Sequence, residues 1–287
     1  MVAVMAPVAA TTVRASGSTA VRVVPARRVA HAGSTRAVLL YENLVDSYGI
    51  GTPANPRIRI SRGGRQIFAE TVPKEVAGTR VYRVELGGLP GWFVVRDLDG
   101  DGEPEVSLLL FWGGTQCCYW SRIYRFDAAR NTYVPTNHFW GGNRAAPSLR
   151  DLNGDGRLEF VSEDDRFAAL TAYVGVVEPI RLWSYDHGTF NDITRRYPKL
   201  IQKDAVSLWR LYLDDRRKRP RGEARYILAA WAADKYMLGQ SRAVDRTLAQ
   251  ALRRGDLVPG PFDQPPRNPV AYIHALKHFL RKTGYIQ

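Results

Sequence analysis

Two stretches of this chain match each other 54 residues apart, and each sets acids or an amide at alternate positions around two glycines. One reads Arg96-Asp97-Leu98-Asp99-Gly100-Asp101-Gly102-Glu103-Pro104-Glu105-Val106. The other reads Arg150-Asp151-Leu152-Asn153-Gly154-Asp155-Gly156-Arg157-Leu158-Glu159-Phe160. Gly, Asp and Asn at that density disfavour helix and strand interiors, so each stretch is a tight loop between other elements. Carboxylates crowded in such a loop repel by about 4 kcal/mol per pair at ~4 Å and an effective dielectric constant near 20, unless a cation sits among them.

The spacing suits calcium, which takes roughly six to eight oxygen ligands at ~2.3–2.6 Å. In the first loop the side-chain ligands are Asp97, Asp99, Asp101 and Glu105, with the Glu103 carbonyl. In the second they are Asp151, Asn153, Asp155 and Glu159, with the Arg157 carbonyl. An EF-hand carries a bidentate Glu at position 12 of its loop. Here that position holds Leu108 or Ser162, and the flanks are strand-like. Asp, Asn and Gly also favour turns without any metal. One copy fits that reading; two copies with the same ligand order favour two structural Ca²⁺ sites, filled only where calcium is abundant.

The motif resembles the integrin-type FG-GAP repeat, known in bacterial proteins as the VCBS repeat, in which a D-x-D-x-D-G-x-x-D loop joins two strands of a propeller blade. The resemblance covers residues 90–195. It departs from the pattern in ending on Glu in both copies, and in Asn153; the longer ninth ligand coordinates less tightly or through water. The fold it implies is propeller-like. Two or three such units cannot close a ring, so the expectation is an incomplete propeller or a curved sandwich.

The flanking sequence reads as short strands: Val38–Tyr41, Arg57–Ser61, Gln66–Thr71, Thr79–Glu85, Trp92–Leu98, Glu105–Phe111, Ser121–Phe126, Thr132–Thr136, Ser148–Leu152, Leu158–Ser162, Ile180–Tyr185 and Asn191–Ile193. They are rich in β-branched and aromatic residues between Gly, Pro, Asn and Asp clusters. Arg62-Gly63-Gly64-Arg65 marks a hairpin turn. From Pro198 the apolar period becomes helical over Asp204–Arg217, Glu223–Leu238, Arg242–Arg254 and Val270–Thr283. Ser241 is the candidate N-cap of the third helix and Gly255 its stop. The fold class is therefore α+β, a β-rich repeat region followed by a C-terminal helical region. The domains are 1–36 as a disordered leader or remnant signal segment with a cleavage point near Ala9–Ala10, 37–197 as the calcium-binding β-repeat domain, and 198–287 as a basic helical domain.

Net charge is +13, and 199–287 hold 18 basic against 8 acidic residues. Such a surface steers polyanions, and it also fits a merely soluble, Arg-rich protein. No apolar run is long enough to cross a bilayer as a helix. Cys117-Cys118 admits a vicinal disulfide or two buried thiols, with an intermolecular bridge as a lesser option. His274 and His278 lack the partners of a zinc site and read as a structural pair. Glu163-Asp164-Asp165 reads as a solvated acidic turn. No nucleophile elbow or phosphate-cradling glycine loop is present.

These features predict a secreted or cell-envelope calcium-binding scaffold or recognition module, more a binding protein than an enzyme, with a protein or polysaccharide ligand. Trp112, Tyr119, Trp120, Tyr124, Phe139 and Trp140 are either its ligand surface or its core. Two other readings stay open: an extracellular hydrolase with a calcium-shaped cleft, and a protein that associates with an anionic polymer or membrane surface through its basic helices. No specific nucleic-acid partner is expected.

Overall fold

The computed structural model describes residues 11–13, 21–46, 51–73, 75–76, 79–80, 85–86, 93–111, 117–142, 145–170, 177–218, 224–259 and 266–287. The elements are β1 (Thr11–Val13), β2 (Val21–Ala32), β3 (Thr35–Val45), β4 (Gly51–Arg62), β5 (Arg65–Thr71), β6 (Glu75–Val76), β7 (Thr79–Arg80), β8 (Glu85–Leu86), β9 (Phe93–Arg96), β10 (Glu105–Phe111), β11 (Cys117–Asp127), β12 (Thr132–Gly142), β13 (Ser148–Arg150), β14 (Glu159–Glu163), β15 (Ile180–Asp186) and β16 (Thr189–Asp192). Four helices follow: α1 (Pro198–Lys218), α2 (Ala224–Met237), α3 (Ser241–Arg254) and α4 (Pro269–Lys282). The protein is α+β, with small antiparallel sheets and a C-terminal helical region. Among the described residues no sheet closes into a barrel or propeller.

The chain divides into two compact units. The first comprises Met1–Phe139, Asp151–Leu158 and Tyr185–Phe190, the second Trp140–Arg150, Glu159–Ser184 and Asn191–Gln287. This differs from the sequence expectation of a boundary at 197, because the strands of the second repeat cluster with the helices and only its loop clusters with the first unit.

In the first unit, β1-β2-β3-β4-β5 form one antiparallel meander, and β10 is the centre of another sheet in the order β12-β11-β10-β8, with β9 also on β10. Both sheets feed one core. Leu39, Ile58 and Ile60 come from the meander, and Val106, Leu108, Leu110, Trp120 and Tyr124 from the second sheet. The β4–β5 hairpin turns on Gly63 and Gly64, both at positive φ, as its two central residues require. Residues 21–36, expected to lie in a disordered leader, instead form β2 and the start of β3, paired from Arg22↔Val45 to Ala32↔Thr35. Among the described residues only β1 pairs with the far side of β2, at Val21–Val23. Most of β2 thus lacks a second strand partner among the described residues, a setting in which arginine and Pro25 are tolerated and alternation of apolar residues is weak. The expected cleavage point at Ala9–Ala10 lies outside the described residues. Cys118 is buried and disulfide-bonded; the Cys117 side chain lies outside the described residues.

In the second unit, β13-β14-β15-β16 form a sheet, and α2 is the hub of the helices. Every residue from Ala224 to Asp234 is buried. Four alanines of α2, at 229, 230, 232 and 233, are wholly inaccessible, so neighbouring helices approach its backbone closely. Amphipathic α3 buries Val244, Leu248 and Ala251 on one stripe and ends at Gly255 in a left-handed cap, as expected. Its N-cap is Gln240 rather than Ser241, which is already helical. Asn268 caps α4 by accepting from the Val270 and Ala271 amides. Buried Arg225 donates to the carbonyls of Leu257, Pro266 and Arg267 and ties down the proline-rich connection.

The acidic turn at 163–165 is not simply solvated. Asp164 is buried, with Arg166 Nη2 at 2.6 Å and the Tyr285 hydroxyl at 2.7 Å. Burial alone would raise its carboxyl, but Arg166, Arg181 and Tyr285 hold it below the usual range.

Two outcomes follow from these contacts. A chain beginning at residue 37 should lose β2 and melt markedly lower or aggregate; a melting curve matching the full chain would show that β2 contributes nothing. Asp234 on α2 is fully buried beside Asp204, and burial, then that neighbouring charge, raises its pKa well above the carboxylate range, with Lys235 opposing. Its stability contribution is complete below the ordinary carboxylate value and is lost as pH rises through the raised one. Asp234→Asn should therefore gain stability over the parent as pH rises above the ordinary carboxylate value in urea melts, and a pH-independent difference would refute this.

Candidate metal centre

The first acidic loop is a hairpin connection. Arg96 on β9 stands opposite Glu105 on β10, and residues 97–104 span between them. Asp97 organises the loop: its Oδ1 accepts from the Gly100 amide at 2.6 Å and its Oδ2 from the Gly102 amide at 3.0 Å. Asp99 Oδ1 accepts from the Asp101 amide, and Asp101 Oδ1 from the Glu103 amide. Gly100 and Gly102 both take positive φ, so the chain can curl and return these amides to the carboxylates.

The curl gathers charge. Ligand oxygens of Asp97, Asp99 and Glu105 lie within 4.8 Å of one another. That spread fits a shell of oxygens around a cation at roughly 2.4 Å. Asp99 also belongs to an overlapping group with Asp101 and His187, and the His187 amide donates to Asp99 Oδ2 at 3.0 Å. Arg125 balances part of the charge, 3.1 Å from Asp101 and 3.6 Å from Asp99.

Glu105 is the exceptional member. Its side chain is 0% exposed. Oε2 accepts from the Leu98 amide at 2.9 Å, while Oε1 has no hydrogen-bond partner among the described residues. Burial, and then Asp99, Asp101 and Asp97, push its carboxyl up to about 8, although the Leu98 amide pulls it down. A buried acceptor left unpaired costs about 1–3 kcal/mol, and more when charged. A cation would satisfy that oxygen.

The second loop repeats the backbone frame. Arg150 on β13 stands opposite Glu159 on β14. Asp151 accepts from the Gly154 amide at 2.7 Å and the Gly156 amide at 3.0 Å; Asn153 accepts from the Asp155 amide, and Asp155 from the Arg157 amide. Gly154 and Gly156 match their counterparts in φ within a few degrees, at 81° and 87° against 77° and 87°. The repeat is thus a repeat of conformation as well as of sequence. The side chains differ: Asn153 donates to Asp155, and Asp151, Asn153 and Asp155 are all exposed. Glu159 is buried and accepts from the Tyr197 hydroxyl at 3.2 Å.

The structure thus brings Asp97, Asp99 and Glu105 together, and Asp101 close to Asp99. The Glu103 side chain pairs with Arg62; the expected ligand of this residue is its backbone carbonyl. The Arg157 guanidinium covers Gly100 of the first loop: a Cβ there would lie 2.2 Å from Arg157 Nε. Sequence reading missed His187 and Arg125. His187-Gly188 could have been flagged as a hairpin turn after a strand, while nothing local marks Arg125. Of the aromatic candidates, Trp120, Tyr124 and Trp140 are buried core, Phe139 is half exposed, and Trp112 lies outside the described residues. His274 and His278 are exposed on α4, and among the described residues neither joins a group of three potential ligands.

No family model matches this chain, and no solved structure does. Among curated proteins, the chain is 26% identical over 222 residues to a protein of Synechocystis sp. named a probable thylakoid lumen protein, which covers 67% of this chain. The chain spans 60% of that relative's length.

Gly100→Ala should cost roughly 1–2 kcal/mol for the left-handed backbone alone, plus the clash with Arg157. Adding Arg157→Ala should recover the clash and leave the backbone cost. Urea melts of the single and double variants measure this; equal losses in both would show that Arg157 does not confine residue 100.

Proposed function

We propose that the first acidic hairpin holds a structural calcium ion, and that the protein acts as a calcium-stabilised scaffold or recognition module outside the cytoplasm. The observation that carries this reading is the buried Glu105 carboxylate, with one oxygen unpartnered and the oxygens of Asp97 and Asp99 within reach. Asp97, Asp99 and Glu105 would hold the ion by side-chain oxygens, and Asp101 would join on release from Arg125. The second loop shares the frame but has one formal charge fewer, so it is the weaker of two sites. The two hairpins read as copies of an FG-GAP-like unit, with the propeller-like arrangement of that family a further expectation. An extracytoplasmic location is supported by the name of the Synechocystis relative, by the disulfide at Cys118, and by the calcium concentration that such a site needs.

At a calcium concentration of about ten times Kd the site should stabilise the protein by roughly 1.4 kcal/mol. The melting temperature should rise with calcium, rise less with magnesium, and return with chelator. Glu105→Gln, which keeps an acceptor for the Leu98 amide, should lose most of the rise. A melting curve indifferent to calcium in the parent protein overturns the proposal.

A further inference from the structure

Within the second unit, Arg166, Arg181, Arg195 and Arg196 line one cavity of about 350 Å³, and Asp192 is the one carboxylate among its described lining residues. That volume lies near the lower end of small-molecule sites. The four guanidinium groups are not equally committed. Arg181 pairs with Asp192 and lies 3.5 Å from Asp164. Arg166 pairs with Asp164. Among the described residues Arg195 meets carbonyls alone, those of Gly284 at 2.9 Å, Tyr285 at 3.0 Å and Met237 at 3.4 Å. Arg196 makes no ion pair among the described residues and is exposed at the cavity.

Two carboxylates and the partial charges of these carbonyls leave the cavity with a surplus of positive charge. The end of a helix supplies only about half a negative charge, so Arg195 is incompletely balanced and Arg196 not at all. The remaining wall is mixed: Ile193 and Tyr285 are buried beside the arginines. Planar guanidinium forks beside an apolar wall match a small organic anion better than an extended polymer.

We propose that this cavity binds a small molecule bearing a carboxylate or phosphate group, whose oxygens Arg195 and Arg196 take up. This site is independent of the acidic hairpins. The test is calorimetric titration of the full chain with inorganic phosphate and, separately, with succinate. Saturable heat with either probe is expected, and which of them binds identifies the anionic group. Arg196→Gln should weaken that binding about tenfold or more, the worth of a charge-assisted hydrogen-bond pair, and its melting temperature without ligand should equal the parent's. Arg217→Gln with Lys218→Gln, both exposed at the end of α1, should leave the affinity unchanged. Absence of heat with both probes, equal affinity in Arg196→Gln, or an equal loss in the α1 variant would each overturn the proposal; the last would mean diffuse attraction to a basic surface.

Discussion

Strand β10 drags a carboxylate into the interior. Its first residue is Glu105, and the next five, Val106 to Leu110, are all buried. Complete burial of an aliphatic side chain contributes about 1.5–3 kcal/mol. Val106, Leu108 and Leu110 together therefore outweigh the cost of taking one carboxyl out of water. The strand cannot slide outward to expose Glu105 without moving its whole apolar face, because a register step exchanges the two faces of a strand. The hairpin register then fixes Asp97 and Asp99 beside it. Electrostatic crowding in this loop is a consequence of packing, and it persists whether or not anything neutralises it.

The chain resolves its buried acids in two ways. Asp164 in the second unit is met by Arg166, Arg181 and the Tyr285 hydroxyl, and its carboxyl stays ionised. Glu105 receives one backbone amide, and its charged neighbours are mostly of its own sign. A buried charge that is fully paired is part of the architecture, whereas one left half-paired marks a place where the protein alone does not complete the interaction. That contrast separates Glu105 from Asp164, and local composition could not have drawn it. Both Glu105 and Asp164 stand in acid-rich stretches.

The parts legible in the sequence are those governed by local rules. The twin loops, the Gly63-Gly64 turn, β10 from Glu105 to Phe111 and the Gly255 helix stop all follow from turn chemistry and periodicity. Helix α1 begins six residues before the expected Asp204, since Pro198 at its start suits a first helical turn. The failures are non-local. Strand β2 carries its signal in its pairing with β3 rather than in alternation of its own residues. Burial of Asp164 depends on Tyr285, 121 residues away. The site was legible as a set of candidate ligands, while the buried, unpaired oxygen that distinguishes Glu105 from Glu159 emerges only in three dimensions. The grouping of the second loop with the first unit is likewise invisible in a linear reading.

Arg157 lying over Gly100 ties together two positions 57 residues apart on otherwise parallel copies of one motif. The copies are consequently no longer interchangeable. In the first, a guanidinium lies over the fourth position and a Cβ there would displace it; in the second, nothing among the described residues approaches the Cβ position of Gly154 within 4 Å. Duplicated segments usually drift apart by independent substitutions, but here one copy has become part of the other's surroundings. A substitution at position 157 is therefore felt in the first loop as well as in its own.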